Sequence, residues 1–152
     1  MSLDGRVAIV TGSSRRIGRA IAEALARRGA TVMVHGKTSG AAAEAVAAGI
    51  RARGGTAASV LADVSTPEGA GYLAECTLAA FGRIDILVNN AAVRRRVALD
   101  DLTYSEWREV TSIILYGAYL CAKALLPALK DSGHGRIVNI GGAASFTGST
   151  NH

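Results

Sequence analysis

The residues with the most evident chemical use lie in a glycine-containing turn near the start of the chain. An apolar run, Val7–Val10, is followed by the segment TGSSRRIG at residues 11–18 and then by a helical pattern. The first N–H groups of a helix have no partners inside it, and its dipole is positive there, so a pyrophosphate is favoured. Gly12 permits a sharp turn, and Gly18 permits close packing of the helix on the strand. We therefore predict a nucleotide-binding crossover at this turn.

Cations follow the second predicted strand at the position where many dinucleotide-binding proteins carry an acid. That acid usually contacts the ribose 2′-hydroxyl of NAD, but His35-Gly36-Lys37 contains neither Asp nor Glu. Lys37, together with Arg15 or Arg16, could instead hold a 2′-phosphate. Solvated loop cations are the alternative interpretation. The pattern favours NADP(H) over NAD(H).

Polar residues also follow the third and fourth predicted strands. Asp63 precedes Val64 after one strand, and Asn89-Asn90-Ala91-Ala92 follows the next. A carboxylate at Asp63 could accept a hydrogen bond from an adenine amino group, or it could be a simple turn or capping acid. Small residues after Asn90 let the backbone approach a ribose, and an asparagine side chain can tie neighbouring strands together.

Alternating strand and helix patterns must position these residues. The apolar runs predict strands at Arg6–Val10, Thr31–Val34, Ala57–Leu61, Ile84–Val88 and Arg136–Ile140. Periodicity and capping signals predict helices at Arg16–Arg28, Gly40–Arg53, from Thr66-Pro67 to Gly82, and from the capping box at Thr103 to about Leu129, with a distortion near Pro127. Right-handed crossovers give a parallel α/β sheet of order 3-2-1-4-5, whose crevice lies at the carboxyl ends of strands one and four.

Composition limits the classes of function. With 152 residues, 49% hydrophobic and 19% charged, the chain is expected to form one globular domain over residues 1–152. The net charge of +5 fits nucleic acid or a phosphorylated cofactor, but aromatic residues make up only 5% and the cations are scattered, so we predict no nucleic-acid binding. Lys123 and Pro127 interrupt the longest apolar stretch, so no membrane span is predicted. Cys76 and Cys121 have no metal-binding or redox spacing, so we expect no metal site and a cytoplasmic protein.

Together these motifs resemble the classical short-chain dehydrogenase/reductase family along the whole chain. Five segments carry the resemblance: the turn at 11–18, Asp63-Val64, Asn89-Asn90-Ala91, Trp107 with the helix after it, and the segment GRIVNI at 135–140. It implies a Rossmann-type, doubly wound sheet and an NAD(P)-dependent oxidoreductase that moves a hydride between nicotinamide and a carbonyl or alcohol. It also implies a homodimer or homotetramer. The cofactor-binding residues implied are Gly12, Ser14, Arg15, Arg16, Ile17, Gly18, His35, Lys37, Asp63, Val64, Asn90, Ala91 and Ala92.

Departures from the family pattern affect mainly the catalytic positions. Arg16 stands at the usual middle glycine, as in relatives similar to pteridine reductases, and Ala92 replaces the last glycine of the Asn-Asn-Ala-Gly segment. The helical asparagine of the proton relay aligns with Ile114, and the catalytic serine aligns with Gly142, near which only Ser145 could stand in.

The tyrosine and lysine of the relay are expected beyond His152. A Tyr-x-x-x-Lys pattern occurs at Tyr119–Lys123, but it lies on the helix between strands four and five, so we predict a half-buried aromatic and a lysine stem there.

Two hypotheses follow. The first is an oxidoreductase of which these residues form the cofactor-binding part, incomplete on the C-terminal side of the sheet and inactive by itself. On that view the native chain continues past His152. The second is a non-catalytic NADP(H)-binding module, a sensor or scaffold that has lost the relay. The substrate is not specified by these residues, and the basic run at 94–96 fits a solvated loop better than an anion site.

Overall fold

A parallel five-stranded sheet forms the centre of the protein. The computed structural model describes residues 2–95, 97–142 and 147. The strands are β1 (Val7–Val10), β2 (Thr31–Gly36), β3 (Ala57–Leu61), β4 (Ile86–Asn89) and β5 (Arg136–Asn139). Their order is β3-β2-β1-β4-β5, which confirms the predicted topology. Val10 pairs with both Val34 and Val88, so the carboxyl ends of the three central strands meet at one edge.

Helices cover both faces of the sheet. They are α1 (Arg16–Arg27), α2 (Gly40–Ala52), α3 (Pro67–Phe81), α4 (Tyr104–Thr111) and α5 (Gly117–Asp131), with a short 3₁₀ turn at Leu99–Asp101. One face of the sheet packs with α1 and α2 around Val32, Val34 and Ile50, and the other packs with α3 and α5 around Ile9, Leu73 and Leu125. The helices α1, α2, α3 and α5 therefore each bury one apolar side against a sheet that is covered on both faces.

The helix boundaries follow the predicted capping signals. The hydroxyl of Thr66 accepts a hydrogen bond from the N–H of Gly69 at 3.1 Å, Pro67 begins α3, and Gly82 ends it in a left-handed conformation. The capping box between Thr103 and Glu106 is also present at the start of α4.

The irregularity in the long fourth helix lies elsewhere than predicted. It is a π turn at Ser112–Tyr116 between α4 and α5, whereas α5 continues through Pro127. At the π turn, the hydroxyl of Thr111 donates to the carbonyl of Trp107 at 2.8 Å and that of Ser112 donates to Glu109 at 2.8 Å. Such bonds compete with backbone hydrogen bonding and can bend a helix. The distortion expected near Pro127 stays a prediction, since α5 contains this proline without a break in its assignment.

The segment Tyr104–Asp131 is long and apolar enough to cross a membrane by length and composition. This differs from the expectation based on Lys123 and Pro127. However, Cys121, Leu125 and Leu129 form a row that is at most 3% exposed and packs into the sheet core. A buried row of this kind is typical of the core helix of a globular domain.

A buried aspartate joins the starts of β1 and β4. Asp85, whose side chain is fully buried, accepts hydrogen bonds from the N–H of Val7 at 2.9 Å, from Arg83 at 2.8 and 2.6 Å, and from Arg6 at 3.2 Å. Burial by itself raises the pKa of Asp85, but these hydrogen bonds outweigh burial and hold the pKa below its ordinary value. The strand β4 begins at Ile86, two residues after the predicted start at Ile84.

We expect Asp85→Asn to lower the free energy of unfolding by about 2 kcal/mol at pH 7, because the arginines lose their charged acceptor. A lowered pKa contributes stability that is present above the unfolded value of about 3.9 and is lost as the pH falls through the folded value. The difference from wild type should therefore shrink below about pH 4. Urea unfolding followed by far-UV circular dichroism measures it.

Asp131→Asn, at the exposed end of α5, is the control and should change stability by less than about 0.5 kcal/mol. An Asp85→Asn variant as stable as this control at pH 7 would contradict the prediction.

Candidate cofactor site

The turn between β1 and α1 has the backbone conformation that its glycines suggest. Gly12 has φ +64°, and a Cβ there would lie 3.0 Å from the Cα of Ala91. Arg16, at the position of the family's middle glycine, has φ +49°, a left-handed conformation that is uncommon for a residue with a side chain. No side chain caps the start of α1, and no acid lies in its first turn. The first N–H groups of α1 are therefore not covered by a capping side chain.

Gly18 brings α1 into direct contact with this turn. A Cβ on Gly18 would overlap the carbonyl oxygen of Gly12 and would lie 2.5 Å from Nδ2 of Asn90. No side chain fits in that space, so the spacing between the helix and the two loops depends on a glycine here.

Hydrogen bonds join the loops that follow β1 and β4. Nδ2 of Asn90 donates to the carbonyls of Thr11 at 2.9 Å and Gly12 at 3.2 Å. In return, the hydroxyl oxygen of Thr11 accepts the N–H groups of Asn90 at 2.9 Å and Ala91 at 3.0 Å. The side chain of Asn89 ties β4 to β5 by donating to Oδ1 of Asn139 at 2.8 Å.

Thr11 was not among the residues predicted for the site. The signal for it was its position directly before Gly12, at the end of a buried strand, where a hydroxyl can bond to the neighbouring loop.

His35 is buried beneath the glycine turn. Its ring is 1% exposed; Nδ1 lies 3.0 Å from the N–H of Gly12, and Nε2 lies 3.0 Å from the carbonyl oxygen of Ala62. The partners define the tautomer, because an N–H can only donate and a carbonyl can only accept: Nδ1 accepts and Nε2 carries the proton. Both ring nitrogens are bonded inside the protein. In this structure His35 supports the turn, and its contact with a cofactor stays a prediction.

Ser13 completes the support beneath the turn. Its buried hydroxyl donates to the carbonyl of Val10 at 2.6 Å and accepts from the N–H of His35 at 2.9 Å, and its own N–H donates to the carbonyl of His35 at 2.9 Å. The turn is therefore attached to β2 through both backbone and side chain.

Lys37 and Asp63 lie together at the carboxyl ends of β2 and β3. Nζ of Lys37 is 2.8 Å from Oδ2 of Asp63, and Oδ1 of Asp63 accepts from the hydroxyl of Ser65 at 2.6 Å and from its N–H at 3.1 Å. Burial raises the pKa of Asp63, but the hydrogen bonds from Lys37 and Ser65 together lower it by more. The net pKa of Asp63 is therefore below the ordinary value. Asp63 is thus an ionised carboxylate that also forms a local turn with Ser65.

The remaining predicted residues lie around this edge with different exposures. Arg15, Arg16 and Ile17 are exposed, Ser14 is half-buried, and Val64 is buried. Beside the turn, Ala91 is half-buried and Ala92 is exposed. The structure therefore brings the glycine turn, the Asn90 loop and the Lys37–Asp63 pair to one edge of the sheet.

The positions aligned with the proton relay do not provide its polar groups. Ile114 lies in the π turn and is 47% exposed, and the exposed Gly142 follows β5. Ser145 lies outside the described residues. Tyr119 is 59% exposed on α5, with Nζ of Lys123 5.8 Å from its ring centroid. The aromatic is thus more exposed than predicted, and the pair forms a surface cation–π contact.

Within the ranges 2–95 and 97–142, no three His, Cys, Asp or Glu side chains are grouped closely enough to hold a metal ion. Cys121 is buried, and this burial raises the pKa of its thiol to about 12. A thiol with that pKa stays protonated and unreactive at neutral pH.

Comparison with known proteins gives the family. The family model for short chain dehydrogenases matches residues 6–152. The chain belongs to the short-chain dehydrogenase family. It is 41% identical over 148 residues to a 3-oxoacyl-[acyl-carrier-protein] reductase from Synechocystis, covering 97% of this chain and 60% of that protein. It is 37% identical over 149 residues to the 3-oxoacyl-[acyl-carrier-protein] reductase FabG of Escherichia coli, covering 98% of this chain and 59% of FabG.

Solved structures of this family share the fold. A Serratia marcescens short-chain dehydrogenase/reductase variant superposes with a TM-score of 0.88 at 30% identity, over 95% of this chain and 58% of the other. The chain thus spans about three fifths of the length of the relatives that it matches.

We expect Gly18→Ala to destabilise the protein by about 1–3 kcal/mol, because the added methyl group overlaps the Gly12 carbonyl and pushes α1 from the Asn90 loop. Thermal unfolding measures the change. Gly71→Ala is the matched control: it lies within α3, and a Cβ there meets nothing within 4 Å, so the substitution should stabilise the helix by up to about 1 kcal/mol. Equal changes in stability for the two substitutions would show that the close packing at Gly18 does not exclude a methyl group.

Proposed function

We propose that this chain is a cofactor-binding domain of an NADP(H)-dependent oxidoreductase that acts on a carbonyl or alcohol substrate. The observation that carries the proposal is the shared edge on which the uncapped start of α1, the Asn90 loop and the Lys37–Asp63 pair lie together. Membership of the short-chain dehydrogenase family supports the same activity.

The residues at this edge suit the successive parts of a dinucleotide. The N–H groups at the start of α1 would hold the pyrophosphate, since their partial positive charge is not neutralised by a first-turn acid. Asp63, an ionised acceptor, would take a hydrogen bond from the adenine amino group. Ala91 and Ala92 would let the backbone approach a ribose. When bound, the nicotinamide would supply the hydride chemistry.

Charge at the end of β2 favours the phosphorylated cofactor. Lys37 is about half exposed, so its ammonium group can turn from Asp63 toward a ligand. Arg15 and Arg16 are exposed on the adjacent turn, which leaves three cations against one carboxylate at this corner. A 2′-phosphate adds a nearly doubly negative group, which such a corner favours over a neutral hydroxyl.

The substituted relay positions favour a second candidate, the non-catalytic NADP(H)-binding module. Ile114 cannot accept or donate a hydrogen bond, and Gly142 has no hydroxyl, so neither can take part in a side-chain proton relay. Turnover is therefore the property that separates the two candidates.

Self-association is part of the proposal. Exposed aromatic and aliphatic side chains lie along α4, the π turn and α5: Tyr104, Trp107, Leu115, Tyr116 and Tyr119 are each more than half exposed. A second copy of the chain would cover this face in a homodimer or homotetramer. We also propose a cytoplasmic location, supported by the free thiols of Cys76 and Cys121.

We expect Lys37→Ala to weaken NADPH binding about tenfold and NADH binding by less than about twofold, because only NADPH presents a 2′-phosphate to the ammonium group. Fluorescence titration of each reduced cofactor measures both affinities.

Arg27→Ala provides the control. Arg27 lies at the opposite end of α1, and the substitution removes the same positive charge as Lys37→Ala. If Lys37→Ala weakens both cofactors equally, or if the Arg27 variant has the same effect, Lys37 does not select NADPH.

Turnover of NADPH with a panel of ketones and 3-oxoacyl thioesters tests the activity itself. The oxidoreductase proposal expects turnover by the protein that carries this chain at its natural length. Tight cofactor binding with no turnover across the panel would favour the non-catalytic module.

A further inference from the structure

We propose that His35 is a positioning residue that controls cofactor affinity by holding the glycine turn in place only while its ring is neutral. The inference rests on the proposed binding of a dinucleotide at this turn. It assigns to a buried side chain, which does not face the ligand, a role in the strength and pH dependence of binding.

The geometry gives His35 an unusual position between three strands. Its Nδ1 accepts the N–H of Gly12, its Nε2 donates to Ala62 at the end of β3, and its own N–H donates to the hydroxyl of Ser13. The ring thereby links the turn after β1 to the ends of β2 and β3. These are the three segments that present α1, Lys37 and Asp63.

The bond to Gly12 is the one that protonation destroys. A protonated imidazole carries hydrogens on both nitrogens and has no acceptor left. The Nδ1 hydrogen would then face the N–H of Gly12 at a distance of 3.0 Å between the nitrogens, and two donors cannot share that position. Gly12 or the ring must move, and Gly12 carries the turn into α1 at a place where even a Cβ built on it would lie 3.0 Å from the Cα of Ala91. Protonation of His35 therefore releases the turn from the ring.

The surroundings oppose protonation more than they favour it. Burial lowers the pKa of His35, while its hydrogen bond to Ala62 and the charge of Asp63 raise it, and the net pKa is below the ordinary value of about 6.5. Asp63 is itself neutralised by Lys37 at 2.8 Å.

Other charged side chains on the elements that pack against β2 are solvent-exposed or paired with each other. They include Arg15 and Arg16 on the turn, the exposed Arg27 on α1, Glu23 with Arg19 and Arg53, and Glu44 with Arg51 on α2.

The sign of the pH dependence follows. Above the ordinary histidine value the ring is neutral in folded and unfolded protein, and the turn is held. As the pH falls, the unfolded protein and any displaced turn bind a proton more readily than the native turn. Cofactor affinity should therefore be constant at neutral pH and should decline as the pH falls through the lowered pKa of His35 in the folded protein.

Two uncharged substitutions of His35 each keep one of the two hydrogen bonds that its ring makes, with Gly12 and with Ala62. In His35→Asn, the side-chain oxygen takes the place of Nδ1 and can accept from Gly12, but the side chain is too short for Ala62. In His35→Gln, the amide nitrogen can reach Ala62, but no acceptor remains beside Gly12. We measure NADP⁺ affinity by isothermal titration calorimetry from pH 7.5 to pH 5.5, after circular dichroism has shown that each variant is folded.

At pH 7.5, we expect His35→Asn to bind NADP⁺ within about twofold of wild type and His35→Gln to bind about fivefold or more weakly. Between pH 7.5 and 5.5, wild type should lose more affinity than His35→Asn. The 2′-phosphate of NADP⁺ titrates near pH 6 and changes the affinity of wild type and variants alike. Only the difference between the wild-type and His35→Asn pH profiles therefore reports on His35. His134→Asn, in the exposed turn before β5, is the control and should follow wild type.

The inference is overturned if the Asn and Gln variants bind equally well at pH 7.5, or if wild type and His35→Asn have the same pH profile. A long-range ¹H–¹⁵N spectrum of the free protein keeps this result distinct from a failure of the proposed function. It should show the Nε2–H tautomer at pH 7.5, and an Nδ1–H tautomer would overturn the inference without any ligand. If the tautomer is as expected but wild type binds neither NADP⁺ nor NAD⁺, the proposed function fails, and the affinity role of His35 fails with it.

Discussion

The contact of Gly18 with the Gly12 carbonyl and the Asn90 amide is the packing constraint on which the rest of the site depends. It places the start of α1 directly on the loops that follow β1 and β4, and only a residue without a Cβ fits there. Once this contact is made, Asn90 can satisfy the carbonyls of Thr11 and Gly12. The start of α1, which has no side-chain cap, then lies beside the loops at the carboxyl ends of the central strands. The geometry of the site is therefore a consequence of this close approach.

Much of the fold could be predicted because its determinants are local. Alternating apolar periodicities, the Thr66-Pro67 start of α3 and the Thr103–Glu106 capping box indicate elements whose boundaries the structure reproduces within about two residues. Strand order follows from the handedness of crossovers. The glycine turn and Asp63 were also visible, since they follow strands that end at the same edge of the sheet.

Other features could not be predicted because they depend on contacts between distant segments. The role of His35 is determined by Gly12 and Ala62, which lie 23 and 27 residues away along the chain. Its position beside Lys37 suggested a ligand contact, whereas burial assigns both ring nitrogens to the backbone. The π turn at Ser112–Tyr116 was missed for a different reason: hydroxyl bonds to the helix backbone such as those of Thr111 and Ser112 also occur in regular helices, while Pro127 gave the stronger sequence signal.

The π turn also has a consequence for which mutations the long helix can accept. A π turn accommodates one extra residue without rotating the helix that follows it, whereas one residue added to or lost from a regular α-helix rotates everything after it by about 100°. Deleting one residue from Ser112–Tyr116 would therefore restore regular winding and leave the row of Cys121, Leu125 and Leu129 against the sheet. The π turn itself contributes no buried side chain. Through evolution, this segment should accept the loss of one residue more readily than the regular helices on either side of it.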